Sequence, residues 1–205
     1  MRAITISAIK KAYLRSIETG YRANWRQIMG WIDVKVFKDI DINDQQVFQA
    51  SRKLAEYCLI AAKKWYEDFY LKEDYYTYID MTLGIEKGSH YFYESLDGIQ
   101  LSKPVKVMVF SRDEITTETM YNDFLMRGKA LIVAHNLGYQ PIALRVWTIG
   151  DYGAFSTYER VIPQCAHKRT LKGAIEVADA IQKRVSYPSR TSACHECPIF
   201  RRCRL

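Results

Sequence analysis

The chain has 205 residues, 48% of them hydrophobic and 26% charged, an ordinary globular composition that excludes a disordered or low-complexity chain. Thirty basic residues against 23 acidic ones leave a net charge of +7, and such a surplus suggests an anionic partner, nucleic acid first. No apolar run approaches the roughly 18 residues of a membrane span, and the opening stretch from Met1 to Lys11 is too polar for a signal peptide, so a cytoplasmic protein with no membrane partner is expected.

In chain order, Ser7 to Thr19 carries Ile9, Tyr13, Leu14 and Ile17 at helical spacing and stops at Gly20. Trp31 to Phe37 reads as a short strand or an irregular excursion. Asp44 caps the strongest helix, which runs to Leu71 on a stripe of Val47, Leu54, Cys58, Leu59, Ala62, Trp65, Tyr66 and Phe69. The aromatic run from Trp65 to Tyr78 could stack on unpaired bases, but core packing and a protein interface are the simpler reading. Three strands are predicted next. These are Tyr75 to Leu83, His90 to Leu96 after a turn at Glu86-Lys87-Gly88 and ended by Asp97-Gly98, and Val105 to Phe110. A second long helix is predicted from Thr117 to Leu137. Two strands, Ile142 to Ile149 and Ala154 to Ile162, then flank a turn at Gly150 to Gly153. Cys165 falls in a loop after the second of these, and Thr170 caps an amphipathic helix to Val185. The order predicts an α/β protein with an α-βββ-α-β core, a mixed sheet flanked by helices, preceded by an extra N-terminal helix. Residues 1–187 form its single domain, and a cysteine-rich tail occupies 188–205.

The charge and the cysteines share one place. From Lys168 to Leu205 nine basic residues face three acidic ones, which accounts for six of the seven surplus charges. Three of the five cysteines lie there too, as Cys194-x2-Cys197-x5-Cys203. Two cysteines three apart turn both sulfurs to one side, and a third can close round the same ion or cluster. Thiolates suit zinc and iron–sulfur centres, and a closed site needs a fourth ligand. Cys165, Cys58, His195 and His167 are the available choices. Cys58 sits on an apolar helical stripe, where a free cysteine packs as a small hydrophobe.

Tail and element order together resemble the restriction-endonuclease-like PD-(D/E)XK nucleases of the RecB-like branch, in particular the CRISPR-associated RecB-like exonucleases and the AddB nuclease domain. That resemblance implies a [4Fe–4S] cluster on Cys194, Cys197 and Cys203; the fourth ligand does not carry over, and Cys165 or Cys58 would have to supply it. The family's usual fourth cysteine, near the start of the chain, has no match here. Zinc is the alternative metal. In such nucleases an Asp on one strand and an acid-x-lysine on the next hold a divalent ion, which activates water. Asp97 matches the first Asp, but the best register puts Phe110 and Arg112 at the acid and lysine positions. Asp33-Val-Lys35 is read as a chance acid-x-lysine. The expectation is therefore a catalytically degenerate, nucleic-acid-binding protein. Lys168, Arg169, Lys183, Arg184, Arg201, Arg202 and Arg204 would face the phosphates of single-stranded DNA or a duplex end, within a DNA-processing, viral or CRISPR-type protein complex. The alternatives are an active magnesium- or manganese-dependent DNA exonuclease centred on Asp97, and a zinc-stabilised interaction subunit.

Overall fold

The computed structural model, which describes residues 1–38, 40, 43–72, 78–111, 117–138 and 141–183, has the expected α-βββ-α-β core. Three helices lead in: α1 (Arg2–Thr19), α2 (Trp25–Phe37) and α3 (Gln45–Trp65), the last continuing as a π-helical turn over Tyr66–Tyr70. The strands β1 (Tyr78–Lys87), β2 (His90–Gln100) and β3 (Val105–Ser111) are followed by the short helices α4 (Thr117–Asn122) and α5 (Phe124–Asn136). Then come β4 (Ile142–Ile149), β5 (Phe155–Ile162) and α6 (Gln164–Gln182). The sheet order is β1-β2-β3-β4-β5, antiparallel throughout except for the parallel pair β3 and β4. A parallel pair needs a crossover, which α4 and α5 supply.

Strand β4 shows why both faces need helices, for every one of its residues is buried. Ile142, Leu144 and Val146 pack with Met126, Ala130 and Val133 of α5. Trp147 and Ile149 join the other core, with Ile9 and Tyr13 of α1, Ile28 and Ile32 of α2, and Cys58 and Trp65 of α3. Arg145, buried on β4, donates to its cross-strand partner Glu159 at 2.8 Å, so its charge is answered within the sheet. Helix α6 packs on α5, and its far half is tied to the β1–β2 hairpin by His90 and Asp179, 2.7 Å apart.

Several expectations are corrected. Trp31 to Phe37 is helix, not strand: Ile28, Ile32 and Val36 are buried four apart, while Val34 is 66% exposed. The missed signal is a capping box, Asn24 with Gln27, each side chain bonded to the other's backbone N–H. That puts Asp33 and Lys35 on a helix, consistent with a chance motif. The long helix to Leu137 is broken at Asp123, whose carboxylate accepts the N–H of Met126 at 2.9 Å and starts α5. Asp97-Gly98 does not end its strand, because pairing with β1 as far as Ile99 and with β3 as far as Gln100 carries β2 on. Thr170 lies inside α6, bonded back to the Ala166 carbonyl, so Cys165 occupies a first helical turn and not a loop. The cap by Asp44 is present, with its carboxylate accepting from Gln46 and Val47. No helix among the described residues is long and apolar enough to cross a membrane.

Candidate functional site

The site begins with what anchors α1. Tyr13 stacks on Trp147 of β4, ring centres 6.4 Å apart, and meets Trp65 and Tyr70 edge-on at 5.5 and 5.3 Å. The Tyr70 hydroxyl donates to the Ala12 carbonyl at 3.0 Å and accepts the N–H of Ala23 at 2.9 Å. The aromatic end of α3 is thus core, as the simpler reading had it, and it fixes α1 against the sheet. Lys10 lies one helical turn before Tyr13, and its ammonium stands 5.9 Å from the centre of the Phe110 ring, at the end of β3.

Beneath Lys10 the sheet opens. Backbone pairing of β2 with β3 covers Gly98 to Gln100 and stops. At that point the side chain of Asp97 substitutes for a ladder partner: Oδ2 accepts the Phe110 N–H at 2.9 Å. Its other oxygen, Oδ1, accepts from the Lys10 ammonium at 2.6 Å. On β1, Ile79 faces Gly98 and Met81 faces Leu96, which leaves Asp80 opposite Asp97. Asp80 has φ +49°, the left-handed region that aspartate tolerates better than most residues. Its Oδ1 accepts from the same ammonium at 2.5 Å. One lysine therefore bridges two facing carboxylates. Burial alone would lower the Lys10 pKa, but the hydrogen bonds and the charges of Asp80 and Asp97 outweigh it and raise the pKa above the ordinary 10.5. An open groove of about 450 Å³ runs past the bridge, lined by Ser7, Lys10, Lys11, Leu14 and Asp80 among others. The larger groove between α2 and α3, about 860 Å³, contains none of the three bridging residues.

Two groups implied by the family resemblance can be tested against these residues. For a catalytic magnesium or manganese ion, Asp80 and Asp97 offer hard oxygens, but the ammonium of Lys10 already stands between them. Phe110, at the register expected of an acid, has no side-chain ligand atom. The residues do not fit the ion while Lys10 is in place. For a cluster or zinc, Cys194, Cys197, Cys203 and His195 lie outside the described residues. Of the other choices, Cys58 and His167 are fully buried, whereas Cys165 is exposed at the start of α6. The Cys58 thiol donates to the Met1 carbonyl, and burial pushes its pKa up. Cys165 alone of these three has the access a ligand to a tail-borne metal needs. Among the described residues no group of three or more His, Cys, Asp and Glu comes together.

Lys168 and Arg169 are exposed near the start of α6 and Lys183 is exposed at its end, roughly 22 Å further along at 1.5 Å per residue. Arg184, Arg201, Arg202 and Arg204 lie outside the described residues. Helix α6 packs on the α5 face of the sheet and Lys10 on the α1 face, so the two sets of candidate residues occupy opposite faces. Sequence reading found Asp97 and missed Asp80 and Lys10. A polar residue between Ile79 and Met81 was the one visible hint for Asp80.

No family model and no curated protein matches the chain. Among solved structures, a “putative exonuclease” from Eubacterium rectale is similar over 98% of this chain and 75% of its own, at 11% identity and a TM-score of 0.43. SSO0001 is similar over 98% of this chain and 96% of its own, at 13% identity and a TM-score of 0.34. Those likenesses concern the path of the chain and carry no chemistry. The class that the topology defines is an α/β protein of α-βββ-α-β fold, with a five-stranded mixed sheet flanked by helices.

Proposed function

We propose that this is a nucleic-acid-binding protein of RecB-like nuclease fold whose hydrolytic site is degenerate, and that it carries a [4Fe–4S] cluster and works within a DNA-processing, viral or CRISPR-type complex. The observation that carries the reading is the Lys10 bridge between Asp80 and Asp97, with Phe110 beside it. An ammonium offsets one of the two carboxylate charges but cannot lower the pKa of a water or polarise a phosphate as a divalent ion does. Binding then rests on the basic residues, Lys168, Arg169 and Lys183 with Arg184, Arg201, Arg202 and Arg204. Affinity for DNA is expected to fall steeply with salt. The slope of log affinity against log salt should lose about 0.9 for each phosphate contact removed with Lys168 or Arg169. Binding indifferent to salt in a filter or fluorescence titration would overturn it.

The cluster is assigned to Cys165, Cys194, Cys197 and Cys203. When bound it supplies a covalent cross-link between the tail and the start of α6. Chain length permits this: Cys165 to Lys183 spans about 27 Å of helix, and the eleven residues from Arg184 to Cys194 reach back at most about 39 Å. Anaerobically purified protein is expected to contain iron and sulfide. Cys194→Ser and Cys165→Ser should lose them, and Cys58→Ala should keep them. Full iron content in Cys165→Ser would remove the fourth-ligand assignment, and a colourless protein with one zinc would support the interaction-subunit reading.

One observation favours a second reading. Two carboxylates do face each other beside a groove, as a magnesium- or manganese-dependent exonuclease requires. The expected result with either ion is no hydrolysis of single-stranded DNA or duplex ends. Hydrolysis abolished by Asp97→Ala would establish the enzyme.

A further inference from the structure

We infer that Lys10 is a built-in cation that closes a latent divalent-metal site on Asp80 and Asp97. The inference deepens the proposed function and rests on it. Like charges brought together across neighbouring strands are destabilising, and Asp80 and Asp97, lying between the pairs Ile79 with Gly98 and Met81 with Leu96, bring their carboxylates to one point. They need a positive partner, which could be a proton, an ion or a side chain. This chain supplies an ammonium 2.5 and 2.6 Å from one oxygen of each.

The ammonium has an advantage that no free ion has. It is tethered, and the helix that carries it is held in place, because Tyr13 one turn away is stacked on Trp147 and buried. A tethered group acts at an effective concentration far above that of a free ligand. Magnesium or manganese at cellular or assay levels therefore competes poorly. The donors, however, remain those that hard divalent ions prefer: carboxylate oxygens beside a groove that admits water. The left-handed backbone at Asp80 is consistent with a pair held by its surroundings and not by strand propensity. Removing only the amine leaves the carboxylates facing and uncompensated, and they then recruit an ion from solution.

The test is manganese binding to the full chain, followed by electron paramagnetic resonance of free Mn²⁺ and by the manganese-induced shift in Tm. Wild type is expected to show no Asp97-dependent site. Lys10→Met should bind one Mn²⁺ at a site wild type lacks, with a matching rise in Tm, and Lys10→Met with Asp97→Asn should lose it. Lys10→Gln serves as the second variant if Lys10→Met folds poorly, and recovery of either fold by Mn²⁺ also supports the proposal. Failure of both variants to bind or to be rescued overturns it, as does tight, Asp97-dependent binding by wild type. Those results leave the proposed function standing as long as wild type does not hydrolyse DNA. Asp97-dependent hydrolysis by wild type would instead remove the proposed function, and this inference with it.

Discussion

Replacing Trp147 by alanine is expected to lower the unfolding free energy by about 3–5 kcal/mol. Trp147 is fully buried on β4. It stacks on Tyr13 at 6.4 Å and lies 5.7, 5.3 and 6.0 Å from the rings of Phe69, Phe110 and Phe155. Four aromatic neighbours from four different elements cannot all move in to fill the space of an indole, so the lost transfer energy is compounded by a cavity. Equilibrium unfolding in urea would measure the loss. A value under about 1.5 kcal/mol would mean that the layer collapses easily and is not what anchors α1. The same substitution should reach the site, because Tyr13 loses its stacking partner and Lys10 is one turn away on the same helix. The benefit of the Lys10 bridge, measured as the destabilisation by Lys10→Met, should be smaller in the Trp147→Ala background than in wild type.

Asp97→Ala is expected to reduce stability by roughly 2–3 kcal/mol without removing any activity. The variant leaves the Lys10 ammonium with Asp80 alone and takes the acceptor from the Phe110 N–H, where β2 and β3 have stopped pairing. Solvent reaches the site, since the Asp97 side chain is 26% exposed, which keeps the figure below that of a fully buried pair. Alkaline pH gives an independent check. The folded-state pKa of Lys10 lies above the ordinary 10.5, so the bridge contributes fully below 10.5 and is lost as pH rises through the folded value. The gap between wild type and Asp97→Ala should therefore hold from neutral pH to about 10 and narrow above it, leaving the part due to the Phe110 N–H bond. The Cys58 thiol, raised by burial, also weakens the fold at alkaline pH, but it does so equally in both proteins and cancels from the difference. A gap that persists undiminished well above 10.5 would show that the Lys10 charge is not its source.

The proportion of this protein legible in its sequence follows the range of the interactions involved. Helix α3 was readable because its apolar residues repeat at helical spacing and Asp44 supplies a cap within one turn. Strands β3 and β4 were readable as short apolar runs bounded by breakers. Misreadings arose where two local patterns competed. Val34 alternates with Ile32 and Val36 as in a strand, while the helical face of Ile28, Ile32 and Val36 begins before Trp31. Asp97-Gly98 looks like a strand end, and pairing with Tyr78 and Ile79 of β1 and with β3 keeps it in β2.

The candidate site divides along the same line. Composition and spacing placed the cysteines and the basic surplus at the C-terminal end, and the family resemblance picked out Asp97 as the acid most worth testing. Nothing in the linear order joins Asp97 to Lys10 or Asp80. Lys10 bonds a carboxylate 70 positions away and shares it with a second one that reaches it across a strand pair. Hydrophobic periodicity is a local property, repeated every two or four residues and visible without a fold. Bridging two carboxylates with one distant ammonium depends on where packing puts α1, and that position is set by Tyr13, Trp65, Tyr70 and Trp147 meeting in one layer. Element order and the cysteine spacing could thus be read along the chain, whereas the identity of the cation facing Asp97 came from the assembled core.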